Sequence, residues 1–266
     1  MLGNARGAAD WPAACVIFAN ETGRRQKMER TLRDVEEADP SMTGRGRVRV
    51  WDLPTRLFHW VLAACVLGSI ASAWIGGNAM AWHFRLGYVV LTLLAFRLLW
   101  GFVGGRWSRF ASFVYAPSTT LRYLRGESRD DEHHHVGHNP LGAFSVFGFL
   151  ALLLLQVSTG LVSDDEISNA GPLVKLVSGA TSSLATHWHK DFGQWLIIAL
   201  IVLHFGAIAF YWLRRRRNLV APMLHGDKPL AAHVPASDDG LRSRVMAAIL
   251  LALCAAGVTW LVSLGG

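Results

Sequence analysis

Acidic residues are missing from the apolar interiors of the long hydrophobic runs in this 266-residue chain. That absence counts against a carboxylate-based ion pump, in which intramembrane Asp or Glu would carry the ion. Cysteine is scarce. Cys15, Cys65 and Cys254 lie far apart, and no C-x-x-C-H occurs, so covalent c-type haem is not indicated. Cys65 and Cys254 fall within apolar runs and read as small buried apolar residues. Charged residues make up only 17%, against 52% hydrophobic residues and eleven Trp, which fits a polytopic membrane protein better than a soluble domain. No signal-peptide pattern with a cleavage site opens the chain, and the first apolar run, Trp11 to Ala19, is too short to span a bilayer. The net charge of +7 lies largely in arginines flanking the apolar runs, as a membrane protein requires, and does not point to nucleic acid.

Residues 1–47 differ in kind from the rest. Residues 21–40 are charged and lack a sustained apolar face, so this stretch is expected to be disordered or weakly helical. Met42 opens MTGRGRVRVWDLPTRLFHW, which reads as a natural start; on that expectation the preceding extension is mis-annotated and residues 1–41 carry no function. Five spans of close to the ~20 residues needed to cross a bilayer follow, at about 55–75, 81–103, 141–162, 187–213 and 244–264. Pro54 suits a helix start. The expected architecture is an all-α integral membrane protein: a transmembrane domain over 48–226, then a cytoplasmic linker and a fifth helix over 227–266.

Lys and Arg in the short loops set the expected orientation. Arg45, Arg47, Arg49 and Arg56 precede or open the first span; Arg106, Arg109, Arg122, Arg125 and Arg129 lie between the second and third; Arg214 to Arg217 follow the fourth. The loop between the third and fourth spans has one Lys and no Arg, and the first loop, GGNAM, has neither. Every loop gives the same answer: N-terminus cytoplasmic, C-terminus periplasmic.

Four histidines, His59, His83, His189 and His204, sit inside or at the mouths of these spans, where each is a functional-site hypothesis by default. His59 falls at the inner end of the first span and His83 at the outer start of the second. His189 opens the fourth, and His204 lies fifteen residues further on, about 22 Å deeper at 1.5 Å per residue. The four form two depth-matched pairs, His83 with His189 and His59 with His204. A turn of 100° per residue leaves His189 and His204 about 60° apart around their helix, so both can face one bundle interior. His187 points about 100° away from His204 and is the poorer candidate. Paired imidazoles from facing helices can bind a haem iron on both axial sides, leaving no open position and making an electron carrier. Histidine-based metal or proton transport without haem is the alternative from another class.

Arg97, fourteen residues after His83, needs an anionic partner or an escape to the interface. A haem propionate would serve, and Arg56 and Arg85 are similar candidates. The run His133-His134-His135, with His138, looks like a metal site but lacks the spacing of a preformed cage and reads as a solvated loop, with His138, at the entry to the third helix, expected to be structural or near the inner pair. Asp164, Asp165 and Glu166 form an acidic patch at the outer end of the third span, which could steer a basic cytochrome c.

The segments WDLPTRLFHW, WHFRLGYVVLTLLAFRLLWGFVGGRWSRFASFV, GHNPLGA and HKDFGQWLIIALIVLH together resemble the bacterial cytochrome b561 family, which includes the b-type cytochrome subunits of nickel-iron hydrogenases. The resemblance covers about residues 48 to 226. It implies a four-helix core holding two haem b groups, with axial ligands on His59, His83, His189 and His204. The fifteen-residue interval on the fourth helix is one longer than is usual in the family, which keeps His187 in reserve as the outer ligand. The fifth helix lies outside the minimal core. The implied function is respiratory electron transfer between quinone and a periplasmic cytochrome c or hydrogenase-type enzyme in the bacterial inner membrane, as a subunit rather than a stand-alone enzyme. Superoxide oxidation at the outer haem, with quinone reduction, is the alternative within redox chemistry.

Overall fold

Asp52 and Pro54 begin the first helix: the Asp52 carboxylate accepts the Thr55 N–H at 2.8 Å, and the proline sits in the first turn, where a missing N–H costs nothing. This helix, α1 (Leu53–Ile75), ends at Gly76, whose φ of 68° favours glycine. A single 3₁₀ turn leads into α2 (Met80–Val103), and the two pack as a hairpin. In this computed structural model, residues 45–125, 136–231 and 234–265 are described. The expectation of disorder before residue 45 and the run His133-His134-His135 lie outside the described residues.

The described residues fall into two compact units, the larger within 47–228 and 235–265, and the smaller comprising 45–46, 229–231 and 234. The larger unit carries five helical segments long and apolar enough to cross a membrane: Leu53–Ile75, Gly77–Val103, Pro140–Leu161, Gly179–Leu213 and Leu241–Ser263. Four agree with the expected spans to within a few residues. The fourth begins earlier, because Ser178 caps α5 (Gly179–His187) by accepting the Thr181 N–H, and the polar run SGATSSLAT had read as loop. Between α5 and α6 (Gln194–Leu213) the helix widens into a π turn over Trp188–Gly193. The remaining helices are α3 (Pro117–Arg125), α4 (Pro140–Leu161), α7 (Val220–His225) and α8 (Leu241–Ser263). Strands β1 (Arg45–Arg49) and β2 (Asp227–Ala231) form a two-stranded ribbon.

The helices turn apolar side chains outward as well as inward. The fourth span has mean hydropathy 2.4, yet only 6% of its most apolar window is buried, and Phe144, Leu203, Phe205 and Trp260 are all exposed. In water such a surface would aggregate, whereas in lipid it costs nothing and the backbone is satisfied within each helix. The protein is a multi-pass, all-α membrane protein. Inside, Cys65, Val90, Leu94, Leu150, Leu153 and Ile197 pack α1, α2, α4 and α6 together. On another face, Phe96 and Trp100 of α2 pack against Ala247 and Cys254 of α8. Asp239 ties the start of α8 to the start of α1: it accepts from the Leu53 N–H, from Arg49 and from Arg244. Burial works to raise the Asp239 pKa, but these donors outweigh it and hold the carboxyl below its usual range.

Candidate functional site

His83, in the first turn of α2, meets His189, in the π turn, with ring centroids 5.9 Å apart and planes at 89°. Each ring is fixed by a backbone carbonyl. The His83 Nδ1–H donates to Ser69 O at 2.9 Å, and the His189 Nδ1–H donates to Gln156 O at 2.8 Å. That bond leaves the Nε2 lone pair of each imidazole for a metal. Gln156 also donates from its amide to the His189 carbonyl at 2.9 Å. Two glycines make room for this clasp. A Cβ on Gly160 would stand 2.7 Å from His189 Cε1, and one on Gly193 would stand within 1.8 Å of Gln156 Oε1. The π turn also answers the fifteen-residue interval, because a π turn absorbs one residue beyond the α-helical count.

The pair borders a cavity of about 470 Å³, within the size range of cofactor sites, lined mainly by α1, α2, α4 and the π turn. Gly87, one turn after His83, faces it, and a Cβ there would touch nothing within 4 Å. Lys190, Asn169 and Thr186 line its polar end. His187 is turned away: its ring bonds Asp191 at 2.6 Å, and both side chains are more than half exposed. Arg85 is exposed, lies over the Trp82 ring, and is not among the cavity-lining residues. Asp165, by contrast, is occupied with its own loop. It accepts the backbone N–H groups of Ile167, Ser168 and Asn169 and the Asn169 amide, and the Asn169 bonds first of all hold its carboxyl well below the usual range.

The second pair, His59 of α1 and His204 of α6, has ring centroids 6.3 Å apart, and Phe149 stacks edge-on against His204 at 5.7 Å. The apolar cluster Cys65–Val90–Leu94–Leu150–Leu153–Ile197 occupies the helix positions between the two pairs. Around this pair gather buried nitrogens without hydrogen-bond partners among the described residues: His59 Nδ1, Arg56 Nε, Arg97 Nη1 and His138 Nδ1. Arg56 also donates to Leu224 O at 2.6 Å.

Both pairs fit a shared iron. With metal–imidazole bonds of about 2.0 Å on either side, two ring centres coordinating one ion stand about 6.3 Å apart, against 6.3 Å and 5.9 Å here. A cage of three or more His, Cys, Asp or Glu is absent among the described residues. Of the residues singled out from the sequence, the structure brings the four histidines together as two pairs; His138, expected to be structural or near the inner pair, is buried against Trp51 and Phe113, whereas Gln156, Gly160 and Lys190 beside His189 were not singled out. Gln156 had a signal: it is the one long polar side chain in the third span.

A sequence model of prokaryotic cytochrome b561 matches residues 50–226, which include all four histidines. Among curated proteins, the chain is 24% identical over 223 residues to a probable Ni/Fe-hydrogenase B-type cytochrome subunit of Rhodobacter capsulatus, covering 71% of this chain and 84% of that one. It is 26% identical over 192 residues to the probable Ni/Fe-hydrogenase 1 B-type cytochrome subunit of Escherichia coli K12 (58% and 79%). It is also 26% identical over 209 residues to the corresponding probable subunit of Cupriavidus necator (66% and 85%). No solved structure matches. The family model spans well over half of the chain, and the chain therefore belongs to the prokaryotic cytochrome b561 family of b-type membrane cytochromes.

Proposed function

We propose that this protein is a di-haem electron carrier of the bacterial inner membrane, with one haem b held by His59 and His204 and the other by His83 and His189. The observation that carries this reading is the ring separation within each pair, 6.3 Å and 5.9 Å. Bound there, haem supplies one-electron redox chemistry, and two protein ligands leave no position open for a substrate. His83 and His189 keep their Nε2 atoms aimed between the helices through the Ser69 and Gln156 carbonyls. The arginine-rich loops support an inside N-terminus and an outside C-terminus, which sets His59 and His204 toward the cytoplasm and His83 and His189 toward the periplasm. Arg56, beside His59, and Lys190, beside His189, are cations available to propionates; Arg85 is less suited, since it is not among the residues that line the cavity. Electrons would pass between quinone and a redox partner at the periplasmic face. The names of the relatives favour a Ni/Fe hydrogenase as that partner over a soluble cytochrome c. The test is the visible spectrum and haem content of the purified protein. Two haem b per chain, with a reduced b-type α-band, are expected; a colourless protein would leave the histidines to a haem-free role.

A further inference from the structure

Among the described residues, Arg97 is a buried cation with no hydrogen-bonded anion, in the interior of a membrane helix. The residue is 3% exposed; its Nη1 meets no acceptor among the described residues, and its guanidinium carbon lies 4.9 Å over the Phe110 ring. Asp52 is the carboxylate that acts on it electrostatically. That carboxylate is fully engaged elsewhere. Its Oδ1 accepts from the Thr55 N–H at 2.8 Å and the Trp100 indole at 3.3 Å, and its Oδ2 from the Ser108 hydroxyl at 2.7 Å and the Gly105 N–H at 3.2 Å. Four donors use the four lone-pair sites that a carboxylate offers. A guanidinium buried in this way calls for an anion of its own.

His138 supplies a second orphan at the same place. Its ring is clamped between Trp51 and Phe113, 4.7 Å from each, and its Nδ1 is shut off from solvent without a partner among the described residues. The loop around it is fixed by the Tyr115 hydroxyl, which donates to His138 O at 2.6 Å, and by Lys228, which donates to Val136 O at 2.7 Å. Arg97, Lys228 and His59 all act on it electrostatically, and burial together with these neighbours pushes the imidazole down to about 3. It is therefore neutral at physiological pH, with one ring N–H to donate.

We propose that Arg97 and His138 form a carboxylate subsite that takes a propionate of the haem held by His59 and His204. The inference rests on the di-haem reading. The guanidinium offers a charge-assisted fork and the imidazole one further N–H. A carboxylate from another source, such as a fatty-acid headgroup, has the same chemistry, and the test separates the two.

The experiment is a redox titration of the full-length, detergent-solubilised protein in wild-type, Arg97→Gln, Arg97→Lys and His138→Phe forms, each repeated with His83→Ala to remove the other haem. In Arg97→Gln both haems stay bound, and the reduction equilibrium of one shifts about tenfold toward the ferric form, about 59 mV for one electron. Arg97→Lys restores most of the shift, and His138→Phe produces a smaller one in the same haem. The effect persists in the His83→Ala background. Unchanged potentials in all three variants, or a shift in the haem that His83→Ala removes, would overturn the subsite while leaving the di-haem reading intact. If Arg97→Gln does not assemble, Arg97→Lys and His138→Phe carry the comparison. Redox-difference infrared spectra with ¹³C-labelled propionates decide the source: label-sensitive carboxylate bands that move in His138→Phe support the propionate, and bands that stay in place reject it. A wild-type protein without haem would sink the di-haem reading itself.

Discussion

Gly160→Ala should cost the protein one haem and leave the other untouched. The added Cβ would stand 2.7 Å from His189 Cε1 and 3.1 Å from its Nδ1. Carbon atoms in favourable contact stand about 3.5–4.0 Å apart, so the ring must retreat by close to 1 Å. It cannot do so freely, because its Nδ1–H is bonded at 2.8 Å to Gln156 O, one turn away on the same helix, α4. Retreat breaks that bond and turns Nε2 off the line toward His83. Losing an outer-shell contact of this kind costs about 10–100-fold in metal affinity, or roughly 1.4–2.7 kcal/mol. The assay is haem per chain by pyridine haemochrome, with a redox titration of what remains. The prediction is a fall from two haems toward one, with the surviving component titrating as in the wild type. Full haem content with two unchanged potentials would refute the clasp of Gly160, Gln156 and His189.

Three further outcomes follow from the same geometry. Gln156→Leu strips the donor from the His189 carbonyl in the π turn and should weaken retention of the same haem by about 10–100-fold, read by haem loss to an apo-acceptor. His187→Ala, by contrast, should leave haem content and spectrum unchanged, since that ring bonds Asp191 at the surface, and a lost haem would reinstate it as the ligand. Asp239→Asn should destabilise the fold by about 2 kcal/mol in thermal unfolding, through the loss of charge toward Arg49 and Arg244. Because the folded pKa of Asp239 is lowered, its contribution is present above the ordinary aspartate value and fades as pH falls through the folded one; a variant with the same acid sensitivity as the wild type would contradict this.

Much of the fold was legible because its signals are long. Five apolar runs with arginine-rich flanks need no tertiary information, and Pro54 and Pro140 mark two starts by fixing φ. The four histidines were legible for the related reason that polar rings in apolar helices are expensive. What escaped was short-range geometry. The π turn is a backbone choice made by tertiary contacts around WHKDFG, and no periodicity in that stretch announces it. Residues 179–186 read as loop because Ser and Thr hide a helix whose cap is Ser178. Helix periodicity separates the arginine candidates: Arg85, two positions from His83, points to the opposite side of the helix, whereas Arg56, three positions from His59, shares that residue's face. For His138 the GHNPLGA segment pointed to a structural place or one near the inner pair, but its contacts with Trp51 and Phe113 and the Lys228 bond to its loop come from residues distant in the chain.

The central claim is the pairing of the four histidines, and single-alanine variants with haem counted per chain test it most directly. His59→Ala and His204→Ala should each lose the same haem, identified by its potential, while His83→Ala and His189→Ala each lose the other. Loss of different haems within a pair, or of neither haem in any variant, would contradict the account.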